Sequence, residues 1–139
     1  MISQTAEYAL RVVVCLASKP DDSMTNERIS TQTKVPLGYL AKLMQVLRRA
    51  DLVESQRGIH GGFKLTKDPG RLSVLDVINA VDPIKRIRHC PLGLKAHGTR
   101  LCDLHRQIDE AQANAEKAFK AHTIASLLAT SNPSVPLGL

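Results

Sequence analysis

Four side chains close together in this 139-residue chain could hold a metal or carry redox chemistry: Cys90, His97, Cys102 and His105. Thiolates and imidazoles are the ligands of iron–sulfur clusters and of zinc. Cys102 and His105 stand three residues apart, a spacing that places both on one side of a helical turn. Lys85, Arg86, Arg88, Lys95 and Arg100 surround them, and neighbouring cations lower thiol pKa values and favour an anionic cluster. Residue types alone leave three outcomes open: metal or cluster binding, reversible thiol chemistry, or an inert loop. The third cysteine, Cys15, lies in the apolar run Val12-Val13-Val14-Cys15-Leu16 and is expected in the core. An odd thiol count without a secretory pattern leads us to expect reduced cysteines and a cytoplasmic protein. No apolar run reaches the ~18 residues of a membrane span, so no membrane partner is expected.

The charge pattern points to a different partner. The chain carries a net +6. Residues 34–71 carry a net +5 and residues 85–100 another +5, while the remaining segments are neutral to acidic. A generic solvated surface would spread its cations more evenly. The first block therefore reads as a footprint for a polyanion, and double-stranded DNA is the expected one. Aromatic residues make up only 3% of the chain, which argues against base stacking on single strands or RNA. Gly-x-Ser-x-Gly, His-Glu-x-x-His and Gly-x-Gly-x-x-Gly are all missing, and the acids are dispersed. No enzyme activity is expected.

The elements that must position these groups follow from hydrophobic period and breakers. Glu7 to Ser18 reads as a largely buried helix, ended by Lys19-Pro20-Asp21-Asp22. Thr25 or Asn26 caps a short helix to Thr31. A third helix starts at Pro36, with an apolar stripe of Leu37, Leu40, Leu43, Met44 and Leu47. The period then switches: Leu52–Arg57 and Phe63–Thr66 read as strands around the turn Gly58–Gly62. Ser73 caps a further helix, Val74 to Val81, and a loop of about 18 residues runs from Ile84 to Leu101. Leu101, Leu104, Ile108, Ala111, Ala115 and Ala118 then recur at heptad-like steps, which predicts a long helix serving as a dimer interface. The expected fold is mostly α with a small β-hairpin wing: a winged helix-turn-helix plus a C-terminal dimerisation helix. Its parts are a DNA-binding domain at 1–83, a sensor loop at 84–101, the dimerisation and short terminal helices at 102–130, and a flexible tail at 131–139. In such a fold the third helix enters the major groove and the wing reaches the minor groove or phosphates. The expected DNA contacts are therefore Gly38, Tyr39, Lys42, Gln45, Arg48 and Arg49 on the helix. On the wing they are Arg57, His60, Gly61 and Gly62.

Three segments resemble the Rrf2 family of bacterial winged-helix repressors, in its IscR/NsrR-like branch. They are Ala6-Glu7-Tyr8-Ala9-Leu10-Arg11, Val35-Pro36-Leu37-Gly38-Tyr39-Leu40 and Arg57-Gly58-Ile59-His60-Gly61-Gly62-Phe63. The spacing of Cys90, Cys102 and His105 is similar to that family's sensor loop. The resemblance implies a homodimeric repressor that holds a [2Fe–2S] cluster through Cys90, Cys102 and His105 and senses redox state, iron or nitric oxide. A further cysteine of the cluster-binding members falls at Ala96 here, which opens the fourth ligand position. The resemblance places Glu7 there, reaching the cluster from the other subunit, with His97 as the other candidate. Ala41 stands where related recognition helices carry a Glu, so operator preference does not transfer. Two alternatives stay distinguishable from the cluster sensor. One is a cofactor-free regulator of the same fold that answers a small molecule or partner protein. The other is a zinc-stabilised protein-interaction module.

Overall fold

The computed structural model describes residues 1–139. Helix α1, Gln4–Ala17, runs through the centre of the molecule. Its residues Ala6, Ala9 and Val12 to Ala17 are buried, because other elements pack against several of its faces. It begins three residues ahead of the expected Glu7, where the Ser3 hydroxyl accepts the Ala6 N–H at 3.1 Å as an N-cap. Helix α2, Asn26–Thr33, is capped by Thr25 and outlasts its expected end at Thr31; Lys34 closes it in the left-handed region at φ 61°. Helix α3, Leu37–Arg49, follows from Pro36. Leu40, Leu43, Met44 and Leu47 form its buried stripe, whereas Leu37, expected in that stripe, is 46% exposed in the first turn. Each fully buried Leu or Met here contributes roughly 1.5–3 kcal/mol of hydrophobic stabilisation.

The wing is an antiparallel pair, β1 (Val53–Gln56) and β2 (Gly62–Leu65), in the register Val53 opposite Leu65 and Gln56 opposite Gly62. The connection ahead of α2 adds a third short rung: Met24 and Phe63 exchange two backbone hydrogen bonds of 2.9 and 2.8 Å. Period-two alternation finds hairpins but carries no signal for this rung, which joins residues 39 apart.

Helix α4, Val74–Val81, opens with a capping box between Ser73 and Asp76, and its Val77 and Ile78 pack on α1. The stretch from Ile84 to Leu101 is irregular apart from one 3-10 turn at Lys95–His97. Helix α5, Asp103–Lys120, then crosses α4, and the short α6, Ile124–Leu128, returns to α1. Ile124 is fully buried, and its N–H donates to the Leu72 carbonyl at 2.8 Å. Near the C-terminus a 3-10 turn, Pro136–Gly138, packs on α1, with Leu137 partly buried on the core. The observed architecture is mostly helical with one two-stranded hairpin, as the sequence predicts. No helix is long and apolar enough to cross a membrane.

Candidate functional site

Two basic surfaces are built in different ways. On α3, Lys42, Gln45, Arg48 and Arg49 are all exposed, and none of the three cations forms an ion pair. The Leu40–Leu47 stripe faces the core and turns these residues outward. Arg48 and Arg49 sit in the last turn, where cations also oppose the negative end of the helix dipole. A Cβ at Gly38 would meet nothing within 4 Å, so this first-turn position lies open for close approach of a groove.

Tyr39 is more constrained than the sequence implies. Its hydroxyl shares a short hydrogen bond with the Thr5 hydroxyl of α1, and its ring meets Tyr8 edge-on, centroids 5.4 Å apart. The Arg11 guanidinium lies 5.1 Å from the Tyr8 ring centroid and donates to Glu7 at 2.9 Å and to the Thr33 carbonyl at 3.1 Å. This polar and aromatic cluster ties the start of α3 to α1 and α2. Glu7 is therefore engaged within its own helix. Thr5, Tyr8 and Arg11 were not expected in this role; only the joint occurrence of aromatic and hydroxyl residues at the two helix starts could have hinted at it.

The wing presents Arg57 and His60 on its exposed tip, and its single ion pair, Lys64–Glu54 at 3.4 Å, lies lower on the strands. Gly61 and Gly62 serve geometry first. A Cβ on Gly61 would stand 2.7 Å from the Gln56 carbonyl oxygen, and one on Gly62 2.4 Å from the Met24 backbone. Glycine at both positions lets the tip fold tightly against its base.

The second basic surface is the loop between α4 and α5. Cys90 and Cys102 are partly exposed free thiols. Cys90 Sγ lies 3.6 Å from His97 Nδ1, and Cys102 Sγ lies 3.5 Å from His105 Nδ1. The Leu94 backbone N–H, followed by His97, holds the Cys90 thiol below its ordinary pKa. The four donors thus form two separate pairs; no group of three or more metal-ligating side chains is assembled within the chain. Glu7, on α1, belongs to neither pair. Cys15 is buried, donates to Gln32 Oε1 at 3.1 Å, and has its pKa pushed up by desolvation, as befits a core thiol.

A clasp the sequence did not reveal anchors the start of this loop. Arg86 grips Asp109 of α5 through two bonds, 2.7 and 2.8 Å, and reaches Glu116 at 3.1 Å. The Ile87 N–H adds a third bond to Asp109, at 2.7 Å. The Arg86 guanidinium holds the Asp109 carboxyl down at about 2. Arg86 and Asp109 are 23 residues apart, beyond the reach of local spacing arguments.

Along α5 the expected seam divides. Leu104 and Ile108 are 65% and 41% exposed, Ala111 and Ala118 are exposed, and Ala115 is buried against its own domain. Leu101 precedes the helix and is partly buried. Ile108, Ala111 and Ala115 line one side of an open groove of about 390 Å³, whose other walls include Ile2, Ile78 and Ile84.

Comparison with known proteins places this arrangement. The family model described as Rrf2, iron-dependent transcriptional regulator, matches residues 2–130. An HTH-type transcriptional regulator of Aquifex aeolicus (strain VF5) is 29% identical over 131 residues, 92% of this chain and 91% of its own. Among solved structures, T. potens IscR superposes with a TM-score of 0.77 at 22% identity, covering 93% of this chain and 86% of its own. CymR, the global cysteine regulator of B. subtilis, superposes with a TM-score of 0.74 at 23% identity, over 91% and 95% of the two chains. At those identities the structural likeness speaks for the fold.

Proposed function

The chain belongs to the Rrf2 family of DNA-binding transcriptional regulators, and from that premise we propose that it is a homodimeric repressor whose operator binding is set by a [2Fe–2S] cluster held at the loop between α4 and α5. Support for the DNA face comes from α3 and the wing, which present Lys42, Arg48, Arg49 and Arg57 exposed and free of acids. Gly38, Tyr39, Lys42 and Gln45 lie at the end of α3 that would meet base edges, while Arg57, His60, Gly61 and Gly62 form the wing contact. Arg48 and Arg49 then serve phosphates.

Donor chemistry supports the cluster. Cys90, Cys102 and His105 offer soft ligands beside exposed cations, and Cys90 is already biased towards thiolate. Glu7 of the partner subunit, or His97, would complete the set. When bound, such a cluster supplies a one-electron redox centre. The remaining steps belong to the chain's own residues. Arg86 fixes the loop to α5 through Asp109 and Glu116, so a rearranged loop pulls on the helix that carries the dimer seam. Leu101, Leu104, Ile108, Ala111 and Ala118 offer that seam to a second copy, with Ala115 at its inner edge. Dimer geometry in turn sets the spacing of the two α3 helices against half-sites about one DNA turn apart.

A second reading is a cofactor-free regulator of the same fold. It is favoured by the two thiols, each of which already faces its own histidine. Anaerobic reconstitution with iron and sulfide separates the two. The cluster reading expects a coloured protein with about one [2Fe–2S] per chain, lost in Cys90→Ala and Cys102→Ala. A colourless, iron-free product together with intact operator binding in those variants establishes the second reading.

A further inference from the structure

Ile59, at the tip of the wing, is 99% exposed, more than any other large apolar side chain of the protein. Its mount is stiff. The Gly61 N–H donates to the Gly58 carbonyl at 2.9 Å and closes a four-residue turn with Ile59 and His60 at its corners. Gly58 at φ +106° and Gly62 at φ +142° hold backbone conformations that side-chain-bearing residues avoid. The two Met24–Phe63 hydrogen bonds fix the base of the wing to the body.

The three glycines also strip the flanks of the tip. What remains is a narrow ridge: one branched aliphatic knob, with Arg57 and His60 exposed beside it. Nothing in the chain covers this knob, and its burial in a partner would be favourable. A tip that carries one aliphatic side chain between glycines, with a cation beside it, suits the minor groove of double-stranded DNA, about 6 Å wide and most negative where A·T tracts narrow it.

We infer that Ile59 enters the minor groove as an apolar wedge and gives the protein a preference for A·T pairs where the wing lands. The inference rests on the DNA-binding reading of the wing and adds a residue and a base preference to it. A·T pairs leave the groove floor open, whereas the 2-amino group of guanine projects into it and would leave Ile59 against a polar donor. Apolar side chains placed in this groove also favour easily unstacked steps.

The test uses full-length protein and a library of randomised duplexes. Wild type should select half-sites flanked by enriched A·T pairs. Ile59→Ala should select the same half-sites without the flanking enrichment. Replacing the flanking adenines by 2,6-diaminopurine restores a 2-amino group in the groove. It should weaken wild-type binding roughly tenfold and Ile59→Ala binding less than about twofold. Because Ile59 touches nothing in the fold, its variant should melt as wild type does. An unchanged flanking preference and unchanged diaminopurine sensitivity in Ile59→Ala overturn the inference while leaving the DNA reading standing. A wild-type protein that selects no sequence overturns the DNA reading, and the inference with it.

Discussion

Residues 34–71 and 85–100 carry the same net charge, +5, and the fold uses the two in opposite ways. In the first, α3 and the wing hold their cations out in solvent on rigid supports, and Lys64 alone has an acidic partner. In the second, Arg86 is drawn into α5 by Asp109 and Glu116, and the surrounding loop is shaped around two thiol–imidazole pairs. Net charge per segment therefore locates a candidate surface, but only the tertiary partners tell whether its cations remain available to a polyanion. Rigidity differs too: the wing is locked by glycines and by the rung to Met24, the loop by a single arginine.

The largest effect should come from breaking the rigid region at Gly62. In Gly62→Ala the new Cβ would collide with the Met24 backbone at 2.4 Å, at a φ of +142° that disfavours alanine. We expect a loss of about 2–4 kcal/mol in urea unfolding, with DNA affinity falling alongside. The loop thiols should keep their reactivity in the folded fraction. A variant as stable as the parent would show that the wing is not seated as described.

Breaking the second region at its clasp should have a smaller and more local effect. Arg86→Ala should raise hydrogen exchange across residues 84–101 and lower the melting midpoint by about 2–5 °C. The clasp also has a pH signature. Asp109 titrates at about 2 in the folded protein, below its unfolded value near 3.9. Its stabilising contribution is thus complete above about pH 4 and is lost as pH falls from there towards 2. NMR titration of the Asp109 carboxyl should show its midpoint rising towards the ordinary value in Arg86→Ala. An unchanged midpoint would place the clasp elsewhere.

The smallest effect separates thiols within the metal-free protein. Cys90, held towards thiolate by the Leu94 N–H and His97, should react first with iodoacetamide, and buried Cys15 last. His97→Ala should slow Cys90 by less than about tenfold, because the Leu94 backbone N–H does more than His97 to hold the thiol towards thiolate. Mass spectrometry of partly alkylated protein reads the order directly.

How much of this was legible in the sequence depended on how local each signal is. Helices, caps and the hairpin announce themselves within a few residues, and so the order of elements followed from period and breakers; Ser73 and Asp76 are a local capping pair. The exposed basic face of α3 was legible because amphipathicity forces the helix to turn Lys42, Gln45, Arg48 and Arg49 outward once its leucines turn in. Leu37 broke that pattern: it has the helical spacing of the stripe, yet it stands 46% exposed at the start of α3. The Arg86 clasp, the Met24 rung and the Tyr39–Thr5 tie were not legible, since each joins residues 23 or more apart with no periodic trace. For the loop, residue types pointed to chemistry, but proximity of Cys90 to His97, seven residues away, depends on a turn that no short motif specifies.

On the proposed reading, the cations of 34–71 meet DNA and those of 85–100 do not. Salt dependence of binding to a selected duplex reads this contrast directly, because each lost phosphate contact lowers the slope of log affinity against log salt by about one. Arg48→Ala and Arg49→Ala, the pair assigned to phosphates, should each flatten the slope by about that amount, while Lys95→Ala and Arg100→Ala leave it unchanged. Equal flattening by all four, or flattening by the loop pair alone, would contradict the assignment.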